Sequence, residues 1–242
     1  MGVVTERDAL LRIAPELMMF LPASRRTSTR RIALDGSSTL GHHVESAGVP
    51  LTEVGPMTVG DRGVPPSYQL RPGDVVDVRA VPRPQPLPAE PRFLLDVHLG
   101  TLARRLRLLG IDTAYHNDMD DPSLVVQANE ERRVLLTQDR GLLRRRALWL
   151  GAYVRGSRAP DQLRDLLERF SPPLRPWTRC TACNGELVTV AKRDVEPMLR
   201  DGTRKGYDAY GRCRVCGQVY WHGAHSNDLE EIVRSARLWA AG

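Results

Sequence analysis

"FLLDVHLGTLARRLRLLG" (93–110) reads as a buried strand that runs straight into a helix. Phe93, Leu94 and Leu95 form an unbroken apolar triplet, the pattern of a strand covered on both faces of a parallel sheet. From 98 to 109, Leu99, Leu102, Ala103, Leu106 and Leu109 fall on one helical face. Between the two stands a carboxylate, Asp96. "VLLTQDRGLL" (134–143) repeats the arrangement, with Val134-Leu135-Leu136 followed by Thr137-Gln138-Asp139.

Working outward, strand and helix patterns alternate. "DTAYH" (112–116), "RVLLT" (133–137) and "AYVRG" (152–156) read as strands; "PSLVVQANEE" (122–131), "RGLLRRRALWL" (140–150) and "PDQLRDLLERF" (160–170) read as helices. Alternation with connections this short predicts an α/β domain over 92–170, a parallel sheet with helices on both faces.

Two proline-rich breaks bound that domain. "VPRPQPLPAEPR" (81–92) has prolines at 82, 84, 86, 88 and 91 and reads as a stiff extended linker, placed at 82–91. "SPPLRPW" (171–177) opens a last segment, 171–242, containing all four cysteines. Ahead of the linker, residues 1–81 mix strands such as "RRIALD" (30–35) and "DVVDVRAV" (74–81) with one helix, "STLGHHVESAG" (38–48). Ser38 is its expected N-cap and Gly48 its stop. Strands flanking one helix suggest a ubiquitin-like β-grasp roll.

The net charge of +6 is unevenly placed. Residues 1–91 carry ten basic and ten acidic side chains, and residues 92–242 carry 25 against 19. A basic unit favours a polyanionic partner. No apolar stretch approaches 18 residues and the N-terminus lacks a signal pattern, so a cytoplasmic protein without membrane partners is expected.

In an open α/β sheet the functional crevice lies at the carboxyl ends of the strands. Asp96 and Asp139 both stand there. "HNDMDDPSL" (116–124), the loop after the second strand, adds Asp118, Asp120 and Asp121 on the same edge. Carboxylates gathered without cationic side chains repel one another, and a hard cation such as Mg²⁺ or Mn²⁺ relieves the repulsion. A structural explanation competes for each residue. Asp121 before Pro122 is a good helix cap, and Asp139 can cap a helix over 140–149. Asp112 and Asp161 read as turn and helix-start residues, with Asp161 a weak fourth candidate.

Cys180-x-x-Cys183 and Cys213-x-x-Cys216, separated by 29 residues, have the spacing of a closed tetrahedral zinc site. With four thiolates such a site has no open position and is structural. His222 and His225 follow the second pair as minor ligand candidates; Tyr220 and Trp221 offer rings for stacking on bases, with core packing favoured for Trp221.

These stretches together resemble the PIN-like ribonuclease family named after the C-terminal domain of the Mut-seven exonuclease. The resemblance rests on Asp96, "LARRLRLLG", the Asp before "PSL", "LLTQD", "CNGEL" and "CGQVYWHGAH", and so covers most of 92–226. In that family a ubiquitin-like domain often comes first, and "GVPLTEVG" (48–55) and "YQLRPGDVVDVRAV" (68–81) are similar to it. The resemblance implies a metal-dependent ribonuclease acting on RNA, with tRNA or another structured RNA as candidate substrate. It implies Asp96, Asp121 and Asp139 as the acidic, Mg²⁺- or Mn²⁺-binding set, with Asp120 as substitute for Asp121, and Arg104 as a phosphate contact. Two positions depart from the family pattern: Gln138 stands where Arg is usual, and His98 where an apolar residue is usual.

The first domain runs into the linker rather than a free Gly-Gly tail, so a docking or RNA-positioning role is expected of it rather than conjugation. His42 and His43 sit mid-helix, and nothing in this domain reads as catalytic. A non-catalytic RNA-binding or adaptor protein on the same fold is the rival class, and DNA processing a third.

Overall fold

The computed structural model describes residues 8–199, 210–221 and 226–241. Along the chain the elements begin with β1 (Asp8–Ile13), β2 (Thr29–Ala33), α1 (Leu40–Ala47), β3 (Val54–Val59), β4 (Arg62–Gly63) and β5 (Val75–Ala80). They continue with β6 (Phe93–Leu95), α2 (Gly100–Leu108), β7 (Thr113–Tyr115), α3 (Asp121–Glu130), β8 (Val134–Thr137), β9 (Gly151–Tyr153) and α4 (Ala159–Phe170). The last are β10 (Leu187–Val190), α5 (Lys192–Val195), β11 (Tyr210–Cys213), β12 (Val219–Trp221) and α6 (Ser226–Ala241). Two compact units result. One gathers the chain up to Gln85 together with Asp139–Tyr153, and the other Pro86–Gln138 together with Val154 onward.

In the first unit the strand order is β2-β1-β5-β3-β4. The central pair β1–β5 is parallel, with Leu11 opposite Val76, and the other pairs are antiparallel. This is the ubiquitin-like roll; of its strands the sequence reading delimited β2 and β5 but not β1, β3 or β4. Leu40, Val44 and Ala47, at helical spacing on α1, are buried with Leu11, Val76 and Val78 in one apolar core. Thr39, not Ser38, caps α1: its side chain accepts from His42 N. Ser38 belongs instead to a turn in which Asp35 accepts from Ser37 N, Ser38 N and Ser38 Oγ.

The expected helix over 140–150 does not form, and only Leu142–Arg144 makes a single 3₁₀ turn. Leu142 and Leu143 are buried, but Arg145 and Arg146 stand where the next turn of an apolar face would fall. The segment therefore lacks the repeating apolar face that a surface helix needs.

In the second unit β7, β6 and β8 are parallel neighbours, with Leu94 opposite both Ala114 and Leu135. Every residue of β6 and β8 is buried, as the unbroken apolar triplets require. Gly110 ends α2 with φ +80°, where a Cβ would lie 2.0 Å from Arg175 O, so no other residue fits. β10, β11 and β12 form a small antiparallel sheet. Beyond it α6 buries Val233 and Ala236 and packs against α4 and α2. No helix among the described residues is long and apolar enough to cross a membrane.

Candidate active site and thiolate centre

Asp96 stands at the carboxyl end of β6, half-buried. Its Oδ1 accepts from Val97 N at 2.6 Å and its Oδ2 from Thr137 Oγ1 at 2.6 Å. Asp96 N donates to Leu136 O of the adjacent strand at 3.0 Å. Thr137 is fully buried; its hydroxyl, which valine would lack, aims the Asp96 carboxylate from the end of β8. An ionised carboxylate offers about four acceptor sites, so two anchoring bonds leave capacity for a cation.

Asp139 follows two residues beyond β8 and is exposed. Its Oδ1 accepts from Gly141 N at 2.6 Å, an Asx-type turn, and its carbonyl accepts from Leu143 N at 3.3 Å. With no α-helix after it, the helix-capping explanation of this carboxylate does not hold.

Capping does explain Asp120. Its backbone is extended, and its Oδ1 accepts from Ser123 N at 2.9 Å, making it the N-cap of α3. Hydrogen bonds from the Ser123 side chain and backbone hold its carboxyl below the usual range. Asp121, expected as the cap, is the first helical residue and half-buried, so the capping role passes to its neighbour. Asp118 is exposed, and Asp161 pairs with Arg158 at 3.0 Å in the first turn of α4.

The four cysteines are brought together as the spacing predicts. Their Sγ atoms all lie within 4.8 Å of one another, with Cys180–Cys216 at 3.6 Å and Cys183–Cys213 at 3.4 Å. Among the described residues this is the one group of three or more His, Cys, Asp or Glu gathered at ligand spacing. Asn184, at φ +70°, and Gly185 turn the first knuckle; a Cβ on Gly185 would lie 2.8 Å from Cys213 Sγ. Burial pushes the Cys180 thiol up, but hydrogen bonds from Tyr220 and the backbone outweigh it and bring it to about 7. Cys183 is pushed up to about 12 by burial and by neighbouring thiols. Four thiols that cannot all ionise alone suit a divalent cation, with S–metal distances of about 2.3 Å for zinc.

Tyr220, expected as a stacking ring, instead places its hydroxyl 3.0 Å from Cys180 Sγ and 3.3 Å from Thr181 Oγ1. Trp221, expected in the core, is 40% exposed at the end of a three-residue edge strand with little to cover it. His222 and His225 lie outside the described residues.

A third cluster escaped the sequence reading. Asp112 accepts from Arg133 Nη1 at 2.6 Å, Arg92 Nε at 3.2 Å and Asn184 Nδ2 at 2.8 Å, and Arg179 Nη2 lies 3.5 Å away. Burial raises the Asp112 pKa, but the Arg133 and Asn184 bonds prevail and lower it to about 2. Arg107, buried on α2, donates to Thr181 O at 3.2 Å and Ala182 O at 2.7 Å inside the first knuckle. The four-cysteine centre is thus bolted to the amino edge of the parallel sheet, opposite Asp96. A signal was present: Arg92, Asp112 and Arg133 each directly precede a strand of one register.

Residues 91–233, more than half of the chain, match the Mut7-C RNAse domain family. The chain belongs to that family. Residues 7–86 match the Mut7-C ubiquitin domain, in the order the fold shows. No curated protein and no solved structure matches the chain. The Mut7-C RNAse region thus includes the sheet, the thiolate centre and also the 139–153 excursion that packs with the ubiquitin-like unit. Within it Gln138, standing where the family pattern has Arg, is structural: its Nε2 donates to Val154 O at 3.0 Å and Gly156 O at 2.8 Å. Arg104 lies exposed on α2, and His98 is exposed beside Asp96.

Proposed function

We propose that this chain is a metal-dependent ribonuclease in which Asp96, Asp121 and Asp139 hold a Mg²⁺ or Mn²⁺ ion, with zinc on Cys180, Cys183, Cys213 and Cys216 as a structural centre. The observation that carries the reading is the anchored Asp96 carboxylate. Thr137 of the neighbouring parallel strand holds it at the carboxyl edge, and Asp139 follows Thr137 by two residues, all within a match to a ribonuclease domain family.

Held by these carboxylates, such an ion would supply a more acidic water and positive charge toward a phosphate. The chain's own residues do the rest. Asp96 presents a carboxylate whose orientation is set before the ion arrives, since both of its oxygens already accept a hydrogen bond. Asp121, at the start of α3, and Asp139, in its local turn, add oxygen donors of the class Mg²⁺ and Mn²⁺ prefer. Arg104 holds the RNA backbone as a point of positive charge on α2. RNA is the substrate class, and the cytoplasm the proposed setting.

The test is cleavage of total RNA by wild type and by Asp139→Asn, with Mg²⁺ or Mn²⁺ supplied. Asparagine keeps the turn and removes the charge. Loss of about 10²–10³-fold in rate is expected, the usual cost of removing one key transition-state stabiliser. Wild-type cleavage by Asp139→Asn removes that residue from the site. RNA binding without any cleavage by the wild type would establish the adaptor reading instead.

A further inference from the structure

The small sheet β10-β11-β12 carries a glycine inside its central strand. Gly211 pairs with Thr189 on one side and Tyr220 on the other, so the three residues share one face of the sheet. Glycine weakens a strand interior, and it often marks a place where a ligand or another backbone comes close. Neither conformation nor packing asks for glycine here. Gly211 is not in the left-handed region, and among the described residues a Cβ added to it meets nothing within 4 Å. At Gly185, by contrast, a Cβ would lie 2.8 Å from Cys213 Sγ. The open space at Gly211 belongs to a cavity of about 210 Å³, lined also by Trp177, Leu187, Tyr220 and Leu229, the last from the start of α6. Pockets for drug-sized ligands take about 300–1,000 Å³, so this one suits a single flat ring.

Both aromatic residues of the wall are anchored. The Tyr220 hydroxyl lies 3.0 Å from Cys180 Sγ, and Trp177 N donates to Leu108 O at the end of α2 at 3.0 Å. Trp177 also borders a second cleft, of about 480 Å³, shared with Glu230, Arg234 and Arg237 of α6. Arg234 pairs with Glu231 at 2.8 Å. Arg237 is exposed and in no ion pair among the described residues. One tryptophan thus separates an aromatic pocket from a cleft that holds an available cation, and all of these residues belong to one compact unit.

We infer that the pocket over Gly211 takes an unpaired base of single-stranded RNA while Arg237 meets a neighbouring phosphate, an inference that rests on RNA being the ligand of this chain and not on the acidic residues. Every base has a π-face, so Trp and Tyr rings accept it whatever the sequence, and a cationic groove beside them follows the backbone. A base inside a duplex cannot enter, because both of its faces are stacked. Thr189, exposed beside Gly211, offers a hydroxyl that can donate to or accept from a base edge.

The experiment uses the full-length, zinc-loaded protein with Gly211→Val, Trp177→Ala and Arg237→Ala beside wild type. Affinity is measured, with no Mg²⁺ or Mn²⁺ added, for an unstructured RNA strand, a fully paired RNA duplex and a strand of the same length built of abasic riboses. Zinc content, melting point and oligomeric state are followed in parallel. Valine fills the open space and suits a strand, so Gly211→Val should keep its zinc and its melting point. It is expected to weaken binding of the unstructured strand about tenfold to a hundredfold, the size of losing one stacked base. Duplex and abasic strand should bind it as they bind wild type. Trp177→Ala should behave alike, and Gly211→Val decides if that variant does not fold. Arg237→Ala should flatten the slope of log affinity against log salt by about 0.7 on the single strand, the loss of one phosphate contact. Wild-type affinity of Gly211→Val for the unstructured strand overturns the inference, and so does an equal loss on the abasic strand. A Gly211→Val protein that changes oligomeric state but not RNA affinity gives the pocket to a second copy and overturns it too. If wild type cleaves RNA and Gly211→Val binds normally, this inference alone falls. If Gly211→Val loses the unstructured strand but wild type cleaves nothing with Mn²⁺ supplied, the nuclease reading falls and the base pocket stands.

Discussion

Cys180 and Cys183 lie on one tight turn and Cys213 and Cys216 on another, whereas Asp96, Asp121 and Asp139 come from three different segments that follow strands β6, β7 and β8. Among the described residues only the thiols are gathered at ligand spacing, and the two sets are built at different ranges. Each thiol pair is placed by local turn chemistry, so only one register, that of β10 on β11, has to bring the two turns together. The thiols are therefore already at ligand spacing. Each carboxylate is instead held by an arrangement of its own: Asp96 by Thr137 across the sheet, Asp121 by the start of α3 behind the Asp120 cap, Asp139 by a turn next to Arg140. The thiol set is organised by the shortest route the chain allows, while the three aspartates stand on independent supports. Close carboxylates without an ion repel, and each raises the proton affinity of the next.

The largest effect that separates the two is metal removal. Stripping the thiolate centre with a strong chelator, or Cys183→Ala, is expected to unfold the β10–β11–β12 sheet, because binding at such sites contributes about 10–16 kcal/mol in zinc-finger peptides. Elemental analysis and amide exchange of 187–190, 210–213 and 219–221 check it. Loss of one zinc per chain should accompany loss of protection, and acid should favour loss because thiolates must be deprotonated to bind. At the carboxylates the same treatment should leave the parallel sheet folded and abolish only cleavage. If Mg²⁺ or Mn²⁺ removal melted the sheet, the distinction drawn here would be wrong.

Asp121 and Asp120 sharpen the comparison within one loop. Asp121→Asn is expected to reduce cleavage about 10²-fold with an unchanged melting point. Asp120→Ala removes the α3 cap, and should lower the melting point slightly while leaving cleavage near wild type. The reverse outcome in paired rate and melting measurements would move the metal ligand to Asp120.

Asp112 probes what joins the thiolate knuckle to the sheet. Asp112→Asn removes a charge from a site facing Arg92, Arg133 and Arg179, and is expected to destabilise by about 3 kcal/mol, as for breaking a buried ion pair. Its carboxyl, lowered to about 2 in the folded state, contributes stability above the ordinary carboxylate pKa of about 3.9. That contribution is lost as pH falls from there toward 2, the sign for a depressed acid. Urea midpoints across this range should fall less steeply in Asp112→Asn than in wild type. An identical acid slope would show that Asp112 carries no such linkage.

Apolar triplets, helical spacing and the two Cys-x-x-Cys turns were enough to read the parallel sheet, the β-grasp roll and the thiolate centre directly from residues. Each of those signals acts over a few residues, and one periodicity or one turn suffices to express it. The cap of α3 was misassigned by one residue because Asp120 and Asp121 are equivalent in composition, and only backbone conformation chooses between them. Thr137 on Asp96, Asn184 on Asp112 and the fork of Arg140 on Met19 and Phe20 had no local signal, for each joins residues more than 40 positions apart. The sequence by itself determined which elements form and which cysteines meet, because those follow from short-range periodicity and turn geometry. Only the tertiary structure decided which donor aims each carboxylate and which unit takes up residues 139–153, because hydrogen bonds and burial between distant segments exist only once the chain has folded.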